Sequence, residues 1–151
     1  MEVNFEVSFQ VIVNSAPTER RGIFRLTNSL NETGAPGDRI LVLTMDENRK
    51  FIFNFPTNIG AGNEITIPNV IALQTVINVT VKQINQMGAE TLQIFLDGTN
   101  VKEESNNAPI KFENVNAYAS DQFYRPVDGN LTNLKIFPGK FYLVSMSFCT
   151  Q

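Results

Sequence analysis

The 151 residues contain no histidine, no tryptophan and a single cysteine. Without His, this chain cannot build a Ser-His-Asp triad, a Cys-His dyad or a His-ligated zinc site. One Cys cannot make an internal disulfide framework. Charge is also sparse, at 18% of residues, with 12 Lys plus Arg against 15 Asp plus Glu and a formal net charge of -3. Nucleic-acid binders carry a basic stripe. Here basic residues cluster no further than pairs such as Arg20-Arg21 in turn-like sequence, which argues against nucleic acid as a partner. No stretch approaches the ~18 apolar residues of a membrane helix, which argues against membrane insertion. Met1 to Phe5 lacks the basic and apolar regions of a signal peptide. A mature chain with an added Met would look the same, so secretion stays open.

What is present is a core-forming composition. Hydrophobic residues make up 42%, including 12 Phe. That suffices for one domain over 1–151. The dominant sequence period is two. Val3, Phe5, Val7, Phe9, Val11 and Val13 alternate with mainly polar neighbours, as in a half-buried antiparallel strand. Further strands are expected over 22–28, 39–45, 50–55, 64–67, 75–84, 90–96, 110–119, 130–137 and 141–148. Asp46-Glu47-Asn48 makes a hairpin of the third and fourth, with Phe51, Phe53 and Phe55 on one face. Pro68-Asn69 is expected to stop the fifth, Asp97-Gly98 is a strong turn, and 101–109 reads as a polar loop. No segment carries a helical apolar stripe. About ten strands without repeat or linker predict an all-β, two-sheet antiparallel sandwich of jelly-roll type. The first and last strands are expected to lie near each other.

Candidate chemistry lies in loops and turns. Glu2 and Glu6 share a strand face, but four strand residues span about 13 Å. A glycosidase pair needs about 5 to 9.5 Å. Gly60-Ala61-Gly62 has no following Lys-Ser/Thr for phosphate. These patterns argue against an enzyme. Asp121 and Asp128 flank a loop and could supply oxygen ligands to Ca²⁺, as could Asp38 in the Pro36-Gly37-Asp38 turn. Asp in a turn also serves as a backbone cap. Tyr118, Phe123 and Tyr124 crowd together with Ser120, Asp121, Arg125 and Asp128. Aromatic faces beside fixed polar groups suit sugars, whose C–H side stacks while hydroxyls hydrogen-bond. Without Trp, that stacking falls to Tyr or Phe.

Three sequons occur, at Asn31, Asn78 and Asn130. Chance alone predicts about two for this content of Asn, Ser and Thr. Cys149 is either a small buried hydrophobe or the link in an intermolecular disulfide.

Certain segments resemble a known fold family. Phe95-Leu96-Asp97-Gly98-Thr99-Asn100-Val101 is similar to a hairpin of concanavalin A-like sandwiches. Phe112 to Asp121 resembles the penultimate strands of laminin G-like domains, and Asp128 to Ile136 their closing strand. The hairpin from Gly37 to Phe55 is loosely similar to their central strands and to the galectin hairpin. Asp38, Arg39 and Asn54 on that hairpin join Tyr118, Asp121, Tyr124 and Arg125 as candidate ligand contacts. The resemblance implies a concanavalin A-like jelly roll, extracellular, that binds glycans or glycoproteins, with Ca²⁺ at a loop rim. The chain lacks the His and Trp of galectins and the terminal disulfide of laminin G-like domains. Two functions stand side by side: a lectin-like carbohydrate binder, and an extracellular adhesive or structural module that binds protein or itself. A homo-oligomer is expected in either case, with Val3–Val13 or Phe141–Phe148 offering a pairing edge.

Overall fold

The computed structural model describes residues 4–28, 40–57, 60–86, 89–106, 115–120, 123–137 and 141–148. Eleven strands run in chain order: β1 (Phe5–Val13), β2 (Arg21–Thr27), β3 (Leu41–Met45), β4 (Lys50–Thr57), β5 (Gly60–Val70), β6 (Ile77–Gln86), β7 (Ala89–Leu96), β8 (Thr99–Ser105), β9 (Asn116–Ala119), β10 (Gly129–Phe137) and β11 (Phe141–Phe148). They form two antiparallel sheets. One has the order β11-β10-β1-β6-β7-β8 and the other β5-β4-β3-β2-β9. Among the described residues no helix is long and apolar enough to cross a membrane.

Period two explains the layering. Val7, Phe9, Val11 and Val13 of β1 point inward, as do Val79 and Val81 of β6 and Leu92 and Ile94 of β7. Facing them are Phe24 and Leu26 of β2, Leu41 and Leu43 of β3, and Phe51, Phe53 and Phe55 of β4. Phe9 and Phe24 meet across the gap with ring centroids 5.0 Å apart. The three Phe of β4 share one face, as their spacing predicts, so Ile52 and Asn54 must lie on the other.

Turn chemistry sets the register. In the β3–β4 turn Asp46 Oδ1 accepts the Lys50 backbone N–H at 2.7 Å, and Arg49 takes φ 60°. In the β7–β8 turn Asp97 and Gly98 have φ of 48° and 79°, the two-residue geometry that matches strand twist.

Three expectations need correction. The 101–109 segment is not all loop, because β8 occupies Thr99–Ser105 at a sheet edge. An edge strand with little buried face carries no alternating signal. Pro68 does not end β5, which continues to Val70 past a register shift opposite Lys50 and Ile52. Proline is tolerated at such an irregularity on an edge strand. Nor is the long first strand an edge: β1 pairs with β10 on one side and β6 on the other. Of the two strands expected to offer an edge, only β11 does so. The terminal strands do lie close, separated only by β10. Of the 110–119 strand, Asn116–Ala119 is β9, and 107–114 lies outside the described residues.

Candidate functional site

The outer face of the five-stranded sheet collects the polar residues. Strand register aligns Tyr118, Arg25, Val42, Asn54 and Glu64 in one row across β9, β2, β3, β4 and β5. A neighbouring row holds Thr44, Ile52 and Thr66. The centre of this face is sheltered rather than solvated: Arg25, Val42, Thr44, Ile52 and Asn54 are all buried. Part of the shelter comes from Arg20, just before β2. Its Nε donates to Thr44 Oγ1 at 2.9 Å, and its Nη1 meets Glu64 Oε2 at 3.0 Å. Thr44 is on β3 and Glu64 on β5, so this pair reaches across β4. The Arg20 guanidinium also lies 4.8 Å from the Tyr124 ring centroid. Stacking of this kind orients both groups.

Asn54 sits directly opposite Glu64 in this arrangement. Only 8% of Asn54 is exposed, and its Oδ1 has no hydrogen-bond partner among the described residues. A buried unpaired carbonyl costs about 1–3 kcal/mol. Such a group in a folded protein calls for a specific explanation.

The structure therefore brings together three of the residues expected from sequence. Asn54 and Tyr118 share the row, and Tyr124 joins through Arg20. Tyr118 and Asn54 are three strand intervals apart, about 14 Å. Tyr124, Arg20, Glu64 and Asn54 form the compact part. Tyr124 and Arg125 are tied down by Ser120 Oγ donating to the Tyr124 carbonyl at 3.2 Å and Gly22 N donating to the Arg125 carbonyl at 2.8 Å. The Arg125 side chain is exposed.

Asp128 lies elsewhere. Its Oδ1 accepts from Asn14 Nδ2 at 3.2 Å and its Oδ2 from Ser15 Oγ at 2.9 Å. Both oxygens thus close the end of β1, the capping role that competes with metal binding. Among the described residues no three Asp, Glu, Cys or His gather where they could hold a metal ion. Asp38, Arg39, Asp121 and Cys149 lie outside the described residues.

Sequence reasoning missed Arg20, Arg25, Thr44 and Glu64. The signal for three of them was available. Once Phe51, Phe53 and Phe55 face inward, Asn54 faces outward with Glu64 opposite it, Arg25 further along the same row and Thr44 in the next. Arg20 had no local signal, because its partners are 24 and 44 residues away.

No protein-family model and no curated protein sequence matches the chain. Solved structures do. The sheep galectin-11 complex with glycerol aligns over 91% of this chain and 92% of its own, with TM-score 0.55 and 12% identity. A heptameric SAP-like pentraxin from Limulus polyphemus aligns over 88% of this chain and 63% of its own, with TM-score 0.56 and 11% identity. A Trypanosoma rangeli sialidase in complex with a difluoro-KDN aligns with TM-score 0.57 and 15% identity. The chain spans only 20% of that sialidase. At these identities the likeness shows the fold: a concanavalin A-like jelly-roll sandwich, the architecture of galectins and pentraxins.

Proposed function

We propose that this jelly roll is a carbohydrate-binding module, and that it binds through the outer face of the five-stranded sheet. The observation that carries the reading is Asn54, whose buried Oδ1 is left without a donor beside Glu64 and Arg20. A sugar hydroxyl supplies the missing donor. Glu64 and Arg20 offer an acceptor and a donor to neighbouring hydroxyls. Tyr124 presents the ring face turned away from Arg20 to the sugar's C–H surface. Tyr118, 39% exposed, extends the site toward a second or third ring at about 14 Å. Asp38, Arg39, Asp121 and Arg125 complete the rim in this reading.

Binding, not turnover, is the proposed activity, and the proposed setting is extracellular. The reading takes binding to be independent of calcium, because both carboxylate oxygens of Asp128 already accept hydrogen bonds. A glycan array run with and without EDTA tests both points. Binding that survives EDTA supports the proposal. An array without a single bound glycan overturns it, and loss of all binding in EDTA overturns calcium independence. In that first outcome the adhesive reading, in which the module binds protein or itself, takes its place.

A further inference from the structure

The opposite face of the molecule carries a second polar surface with its own geometry. On the outer side of the six-stranded sheet, Ser8 of β1 faces Thr80 of β6 and Lys135 of β10. Ser8 and Thr80 are short, and the rows flanking them are long. On one flank Asn133 Nδ2 donates to Gln10 Oε1 at 2.6 Å, Gln10 Nε2 to Asn78 Oδ1 at 3.0 Å, and Asn78 Nδ2 to Asp97 Oδ1 at 2.9 Å. On the other, Lys82 Nζ meets Glu6 Oε2 at 3.0 Å and lies 5.6 Å from the Phe95 ring centroid. Short residues between two long ridges leave a trough across β10, β1 and β6 with a volume of about 330 Å³. That is the lower end of the range for small-molecule sites.

A local irregularity builds the amide ridge. Asn133 takes φ 54°, a left-handed conformation that Asn tolerates, and the β1–β10 register shifts between Ser8 and Gln10. Thr132 and Asn133 therefore both reach the outer face, and both donate to Gln10 Oε1. The ridge amides hold one another in place, and each keeps hydrogen-bonding capacity toward the trough. Thr80 marks one end, with Phe95 opposite it on β7. Lys135 closes the other, about two strand spacings or 10 Å from Thr80.

The two unpaired charges sit at opposite ends: the Asp97 carboxylate lies beyond Asn78 at the β7 end, accepting from Asn78, and Lys135 lies at the β10 end. Glu6 is paired by Lys82. Among the described residues Lys135 has no carboxylate partner, so the end of the trough away from Asp97 carries an unpaired cation on a chain of net charge -3. Fixed amides and free hydroxyls suit a polyol, and the cation suits an anionic group at one end of it. We infer that this trough is a second ligand site, and that it takes a short acidic saccharide of about disaccharide length. The site shares no residue with the five-stranded face, so it stands or falls independently of the function proposed there.

The test is a titration of the full ¹⁵N-labelled chain, made without glycosylation. It is followed through the side-chain amide signals of Gln10, Asn78 and Asn133. The probes are a sulfated chondroitin disaccharide, its unsulfated uronic counterpart, and lactose. The inference predicts saturable shifts with either acidic probe, in the millimolar range or tighter, and much weaker ones with lactose. K135E is expected to weaken binding at least tenfold. S8V, which fills the floor with a strand-favouring side chain, is expected to do the same. K102E makes the same charge change on β8, away from the trough, and is expected to leave the shifts unchanged. The dispersion of each spectrum reports whether the variant is folded. No saturable shift by ~10 mM probe, about 2.7 kcal/mol of binding, overturns the site. Equal binding of lactose overturns the acidic class, and undiminished binding by folded K135E overturns the role of Lys135.

Discussion

Replacing Asn54 by Val separates stability from function with opposite signs. Asn54 lies on the outer face of β4, buried, and its Oδ1 has no partner among the described residues. Leaving that carbonyl unpaired costs about 1–3 kcal/mol, and Val removes it. Val also suits a strand better than Asn, by up to ~1 kcal/mol. Packing imperfections beside Val42 and Glu64 offset part of the gain. We expect N54V to be more stable by about 1–2 kcal/mol. At roughly 2–4 °C per kcal/mol for a chain near this size, Tm rises by about 2–8 °C. The same substitution removes the acceptor proposed for a sugar hydroxyl, so affinity for the best glycan should fall at least ~10-fold, about 1.4 kcal/mol. Urea titration and thermal melts read the first effect, and calorimetric titration the second. A loss of more than ~1 kcal/mol of stability would refute the reasoning, because it would show that the fold itself satisfies the Asn54 amide.

Four further outcomes check other parts of the structure. R20A should cut glycan affinity at least ~10-fold in the same calorimetry, yet cost less than ~1 kcal/mol in urea, because its partner Glu64 is 47% exposed. Phe53, fully buried in the core, should cost about 3–5 kcal/mol as F53A, read from the urea midpoint. G129A should cost about 1–3 kcal/mol, since the added methyl is driven into the Ile12 carbonyl oxygen where β10 begins beside β1. If Cys149 links subunits, non-reducing gels show a dimer that dithiothreitol removes, and light scattering of C149S shows a smaller particle. An unchanged monomer would leave only the buried-hydrophobe reading of that residue.

Most of the architecture was legible because buried antiparallel strands write their pattern directly into sequence. Phe5 to Val13 and Phe51 to Phe55 alternate because one side of each faces the core. The pattern failed where burial failed: β8 lies at an edge with little buried face, and its Glu103 and Glu104 read as loop. It also failed where a local irregularity absorbed a breaker, as at Pro68. Strand order was legible only at the hairpins and in the nearness of the terminal strands, since the central place of β1 comes from pairing with residues more than 65 positions away. The site shows the same divide. Asn54 and the tyrosines could be singled out by type and by resemblance. The Arg20–Thr44–Glu64 contacts exist only once three separate strands have met, and the amide ridge from Asn133 to Asp97 is likewise a product of assembly.

The central claim is that the outer face of the five-stranded sheet binds sugar through Asn54 and its neighbours. A crystal structure of the chain with the best glycan from the array tests it most directly. The prediction is a sugar ring against Tyr124, with one hydroxyl donating to Asn54 Oδ1 and another held between Arg20 and Glu64. Density for the glycan on any other surface, with Asn54 Oδ1 still unpaired, would contradict it.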